Sequence, residues 1–180
     1  HNEYLKAPSD ALKISLFSGV ADLDLVYTPK FDPDRFITGE RIPFHGQDIT
    51  GPPCRQLDYT LPDTWFSDDE FAMRLYKNIK NYELALYGYH GFWKGPAGQT
   101  PSGSAAFPAL NVYGASARGQ AGPGIGNIEV AFYHSLDDTT GSDPLVNNSE
   151  MRFLAGYAWE PAKDLTAGLQ YYIEYMLDYD

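Results

Sequence analysis

The chain has 180 residues and a formal net charge of −11, with 13 Lys and Arg residues against 24 Asp and Glu residues. This acidic balance excludes a nucleic-acid surface, which needs clustered cations. The 14 Tyr and 10 Phe residues beside 17 Gly and 13 Pro indicate an all-β chain rich in strand and turn formers, and the length favours a single domain over 1–180.

The first two predicted strands cover 13–17 and 21–28. The second strand alternates apolar residues with mainly acidic ones. The alternation changes parity around Ser18-Gly19, which we interpret as a tight turn, with a β-bulge as the alternative.

A long loop follows at 29–69, rich in Pro and Asp and too long to remain structureless in a compact domain. We expect it to fold over or into the rest of the molecule. Its opening stretch, DPDRFITGER, can form a constriction inside a channel, because opposed charges select permeating ions. A surface loop is the alternative reading. The constriction candidates are Asp34, Arg35, Glu40 and Arg41.

Three hairpins are predicted in the rest of the chain, each with apolar residues at alternate positions. Their strand pairs are 70–77 with 82–93, 109–118 with 127–135, and 150–159 with 165–179. The turns between the paired strands are short, at 78–81, 119–126 and 160–164. They alternate with long connections at 29–69, 94–108 and 136–149.

This alternation of short turns and long loops predicts an antiparallel up-and-down β-barrel of about eight strands, as found in outer membranes. The apolar face of each strand would then contact lipid. The opposite face is mixed and charged, and it would line the lumen. The predicted lumen-lining residues are Asp22, Asp24, Arg74, Glu83, Glu129, Arg152, Gln170 and Glu174.

Motifs for catalysis or metal binding are weak, so the sequence predicts no enzyme, no cofactor and no resident metal. Ser116 or Ser135 with His134 is the remaining nucleophile and base candidate, but adjacent strand residues point to opposite faces. Asp137, Asp138 and Asp143 can in principle ligate Ca²⁺. Their spacing does not match an EF-hand loop, and a solvated acidic loop is the alternative.

The stretches DLDLVYTPKFDPDRFITGER, YELALYGYHGFW and LTAGLQYYIEYMLDY resemble porin-like outer-membrane β-barrel proteins of Gram-negative bacteria. The resemblance implies an outer-membrane location, contact with outer-membrane lipid, and a transport or structural role, with a homo-oligomer left open. Such barrels end on an aromatic residue and carry an export signal. The chain shows neither, so it is expected to be a portion of a longer protein.

Within this resemblance, the expected function is a passive channel for small solutes. Acidic residues outnumber basic ones on the predicted lumen face, which favours a mild preference for cations. Two alternatives remain open: a soluble β-sandwich whose Tyr and Trp residues bind carbohydrate, and a small structural or adhesion barrel without transport. An eight-stranded barrel has an interior filled by side chains, whereas channels appear in larger barrels.

Overall fold

One eight-stranded antiparallel sheet accounts for most of the protein. The structure is a computed structural model that describes residues 9–40 and 56–178. The strands of the large sheet are β1 (Leu12–Leu16), β2 (Asp22–Thr28), β3 (Glu70–Ile79), β4 (Tyr82–Phe92), β7 (Ala109–Ala121), β8 (Gly124–Ser135), β9 (Glu150–Ala162) and β10 (Leu165–Met176). A second, two-stranded sheet consists of β5 (Gly98–Gln99) and β6 (Ala105–Ala106).

The strand order in the large sheet is β1-β2-β3-β4-β7-β8-β9-β10, so each strand pairs with the next long strand in the chain. All of these pairs are antiparallel. The prediction of an all-β, up-and-down antiparallel fold is therefore confirmed. No helix occurs in the described ranges, and accordingly none there could cross a membrane.

The sheet is open among the residues that the structure describes. β1 pairs only with β2, and β10 pairs only with β9. The predicted closure into a barrel is thus not made by these eight strands. Each edge strand keeps a row of backbone donors and acceptors with no strand beside it.

Short and long connections alternate as predicted, but the turns are tighter than expected. β3–β4, β7–β8 and β9–β10 are joined by the two-residue turns 80–81, 122–123 and 163–164. Gly122 supplies a positive φ of 58° in one of them, and Lys80 and Asp164 adopt φ values of 56° and 62° in the other two. The strands therefore run on through residues that were expected to be turn.

The segment 17–21 between β1 and β2 is a turn, as predicted. The Ser18 hydroxyl accepts hydrogen bonds from the backbone N–H groups of Val20 and Ala21, each at 3.2 Å, and donates to Ala21 O at 2.6 Å. These bonds satisfy backbone groups where the ladder is interrupted.

The register gives the sheet two unlike faces, which we call the apolar face and the polar face. Direct cross-strand partners share a face, as in the series Leu23, Leu75, Leu86, Ala115, Val130, Phe153 and Ile173. Most large side chains on the apolar face are exposed, including Leu169 (72%), Ile173 (40%), Val130 (39%) and Phe153 (38%). No second layer of described residues covers them.

Burial is concentrated at the end of the sheet where the long connections lie. Trp93, Ala97 and Leu110 form a small core with Tyr133 and neighbouring residues packed against it. Phe31, 2% exposed, packs its ring against Phe92 and Phe107 at 5.2 and 5.4 Å between centroids. This cluster fixes the start of the 29–69 connection to the sheet.

Candidate functional site: the polar face of the sheet

The structure brings all eight predicted lumen-lining residues to one face. Asp24 pairs with Arg74, and Arg152 pairs with Glu174. The other four lie at positions of the same parity in their strands. The polar face is therefore the candidate site, and its charged groups fall into two clusters with a depression between them.

The first cluster is built around Arg74 on β3. Its guanidinium donates to Glu83 at 2.8 Å and lies over the ring of Tyr76, 4.3 Å from the centroid. Beside it, Asp24 accepts from Ser15 at 2.5 Å and pairs with Lys13 at 3.1 Å. Most of the charge in this cluster is compensated within it.

The second cluster is built around Arg152 on β9. Its guanidinium pairs with Glu150 at 2.5 Å and Glu174 at 3.4 Å, and it lies 4.0 Å from the centroid of the Tyr133 ring. Tyr172 donates its hydroxyl to Glu174 at 2.5 Å. One guanidinium thus faces two carboxylates.

A depression of about 360 Å³ lies between the two clusters. Small residues form its floor, because Gly114 pairs with Ala131 at its centre. Tyr87, Glu129 and Tyr172 line its walls. Glu129 has no hydrogen-bond or ion-pair partner in the described part of the chain, so its charge remains available to a ligand.

A buried carboxylate lies on the polar face at the end of the sheet where the long connections are. Glu70 is 4% exposed and accepts hydrogen bonds from the Tyr89 hydroxyl and from Lys94 Nζ, the latter at 2.6 Å. Lys94 Nζ also donates to Asp32 O at 3.1 Å, and Lys94 O accepts from Asp34 N at 2.8 Å. The Glu70–Lys94 pair thus attaches the first residues of the 29–69 connection to the sheet.

The structure describes three of the four predicted constriction residues. Asp34 is held through its backbone at the end of β4, whereas Arg35 and Glu40 are exposed. Arg41 lies outside the described residues. Within 9–40 and 56–178, no ion pair joins Arg35 to a carboxylate of the polar face. The opposed-charge constriction therefore remains a prediction.

The acidic loop at 136–149 uses its carboxylates to bind backbone amides. The Asp138 carboxylate accepts hydrogen bonds from the backbone N–H of Asp143 at 2.6 Å and of Thr140 at 3.1 Å. Asp143 accepts one from Leu145 N at 2.9 Å, and Asp137 accepts one from Ala109 N at 2.9 Å. The amide of Asp143, followed by those of Thr140 and Ser142, holds the pKa of Asp138 below its usual value. Across the described ranges no cluster of three potential metal ligands occurs.

The candidate nucleophiles and base do not assemble. Ser116 shares a hydrogen bond of 3.0 Å with the Tyr87 hydroxyl. Ser135 is fully buried on the polar side, while His134 Nδ1 contacts Ser149 Oγ at 3.3 Å. Among the described histidines, none forms a hydrogen bond with Ser116 or Ser135.

The predicted lumen-lining set left out Glu70, Glu150 and Arg118, which share the polar face. Strand parity could have found Glu150 and Arg118, because both alternate in step with neighbours on that face. Parity also puts Glu70 in step with Arg74, but its burial could not be recognised, because its partners Tyr89 and Lys94 come from a different strand and a loop.

Comparison of the chain with protein-family models, curated proteins and solved structures finds no match.

Proposed function

We propose that this chain forms part of the wall of a porin-like outer-membrane β-barrel, a passive channel for small solutes with a mild preference for cations. The proposal rests on the exposure of the apolar face on seven of the eight long strands, opposite a face of charged residues and tyrosines. The apolar face contacts lipid, and the polar face lines the passage.

A lipid environment accounts for the apolar face better than water does. Exposed apolar patches on soluble monomers rarely exceed a few hundred Å², whereas here large apolar side chains are exposed on seven of the eight long strands, all except β2. Burying them in hydrocarbon gains about 25 cal/mol per Å² of apolar surface. A sandwich that binds sugar would need a second sheet on this face, and the described residues supply none.

The free edges require closure in a membrane, because an unpaired backbone group at hydrocarbon depth costs several kcal/mol. β1 runs towards the short turns and β10 runs away from them, so the two edges are antiparallel to each other. An even number of additional strands must therefore lie between them. A barrel with more than eight strands also has room for the water-filled passage that the proposal needs.

Charge on the polar face supports the preference for cations. The two arginines of the clusters are paired with Glu83, Glu150 and Glu174, and Glu129 is left with an uncompensated charge. Fixed carboxylates along a passage attract cations and repel anions.

The test combines refolding and conductance. The full protein that contains this chain, refolded in detergent, should migrate faster on a gel when unheated than when boiled, and its insertion into planar bilayers should produce cation-selective steps. Glu83→Lys with Glu129→Lys should shift the reversal potential towards anions, whereas Asp10→Lys, outside the strands, should not. A folded, monodisperse monomer without detergent would overturn the membrane location. Insertion without conductance would instead favour the structural barrel.

A further inference from the structure

We infer that the depression between the two arginine clusters is a binding subsite for small organic cations of the guanidinium or alkylammonium class. The inference rests on the proposed function insofar as solutes must reach the polar face. The volume of about 360 Å³ is far above the ~30 Å³ that one water molecule occupies in the liquid. A flat group of several heavy atoms fits over Gly114 and Ala131.

Charge selects the sign of the ligand. The depression and its rim hold the carboxylates of Glu129, Glu150 and Glu174 and one guanidinium, that of Arg152. Arg152 already uses its charge on Glu150 and Glu174. The unpaired Glu129 is therefore the group that meets an incoming solute, and it attracts a cation.

The aromatic walls select an organic cation over a metal ion. Tyr87 and Tyr172 lie on β4 and β10, on either side of Glu129 on β8, and are 38% and 49% exposed. A cation over an aromatic ring is attracted by its negative face. The protein shows this geometry in its own residues, since Arg74 lies over Tyr76 at 4.3 Å and Arg152 over Tyr133 at 4.0 Å.

The inference is tested by titrating the full protein that contains this chain, refolded in detergent micelles with ring-labelled tyrosine, with methylguanidinium chloride at constant ionic strength. Tyr87 and Tyr172 resonances should shift and saturate. N-methylurea, which has a similar shape and no charge, should leave them in place. Glu129→Gln should weaken binding about tenfold, as loss of a charge-assisted hydrogen bond does, and Ala131→Leu should fill the depression and abolish the shifts.

Glu160→Gln is the matched control, because it removes one negative charge from an exposed residue that does not line the depression. It should bind methylguanidinium as the unaltered chain does. Equal shifts with N-methylurea, or equal weakening by the two substitutions, would overturn the subsite. The binding measurement does not depend on transport. Conductance without methylguanidinium binding would contradict only the subsite, and methylguanidinium binding without membrane insertion would contradict only the channel.

Discussion

The buried pair of Glu70 and Lys94 is the residue-scale contact on which the long-connection end depends. Lys94→Ala leaves Glu70 buried with the Tyr89 hydroxyl as its remaining donor. Breaking a buried ion pair costs about 3–5 kcal/mol, and because the Lys94 side chain is 33% exposed we expect a loss at or below the lower limit of that range, ~2–3 kcal/mol. Urea unfolding in detergent measures it.

Lys30→Ala is the control, because Lys30 pairs with Asp63 at a site where the Asp63 side chain is 71% exposed. Exposed pairs contribute about 0–1 kcal/mol. Similar losses of unfolding free energy from the two substitutions would show that the Glu70–Lys94 pair stabilises the fold no more than an exposed pair does.

The acidic loop should respond to pH through Asp138. Its folded-state pKa lies below that of an unfolded carboxyl, about 3.9, because amide N–H groups stabilise the carboxylate. Its contribution to stability is therefore complete above the unfolded pKa and is lost as the pH falls through the lower folded value. Proteolysis of the 136–149 loop between pH 2 and 6 should show opening at the acidic end, and Asp138→Asn should open the loop at all pH values. A loop equally resistant at pH 2 and 6 would contradict this.

At the scale of single turns, Lys80 stores conformational strain. It adopts a φ of 56° in the β3–β4 turn, where a side chain costs about 1–2 kcal/mol relative to glycine. Lys80→Gly should therefore stabilise the fold by ~1 kcal/mol. Lys163 is at the β9–β10 turn without a positive φ, so Lys163→Gly should be neutral or destabilising. The same measurement of unfolding compares them.

At the scale of a strand, β8 allows a test of whether the apolar face contacts lipid while the polar face contacts water. Val130→Arg places a charge on the apolar face near mid-strand, which costs about 2–4 kcal/mol at the centre of a bilayer. Asn127→Arg places the same charge on the polar face and should cost much less. Urea titration of the protein folded in lipid vesicles distinguishes the two. Equal effects would mean that the apolar face does not contact hydrocarbon.

Strand parity accounts for how much of the fold was predictable. Alternation in β3, β4, β8, β9 and β10 assigned each side chain to its face, because the period of a strand is fixed by its geometry. The turns were predicted too long: Gly119 and Gly126 looked like loop, yet they pair with each other in the β7–β8 ladder. Cross-strand pairing supplies backbone hydrogen bonds that a single sequence does not reveal.

The candidate site was only partly predictable for a related reason. Its charged residues lie on strands, so parity placed them on one face. Glu150 lies two residues from Arg152 on β9, but the compensation of Arg152 by Glu174, and the lack of compensation at Glu129, depend on which strands are neighbours. Such contacts between strands can be predicted only when the register of the paired strands is known.

For the whole molecule, closure of the sheet is the property to measure. If further strands complete a barrel in lipid, the outward-pointing amides of β10 should exchange hydrogen as slowly as those of β8, which is paired on both sides. An open sheet would leave alternate amides of β10 in rapid exchange. Mass spectrometry of vesicle-bound protein after deuterium labelling measures both strands at once.

In the described ranges β1 and β10 each have one edge without a neighbouring strand, and this has a consequence during synthesis of the protein. Long exposed strands with apolar side chains are templates on which other chains aggregate. If the proposed membrane barrel is correct, a newly made copy needs a chaperone that shields β1 and β10 until insertion. Its loss should convert the protein into insoluble cross-paired material.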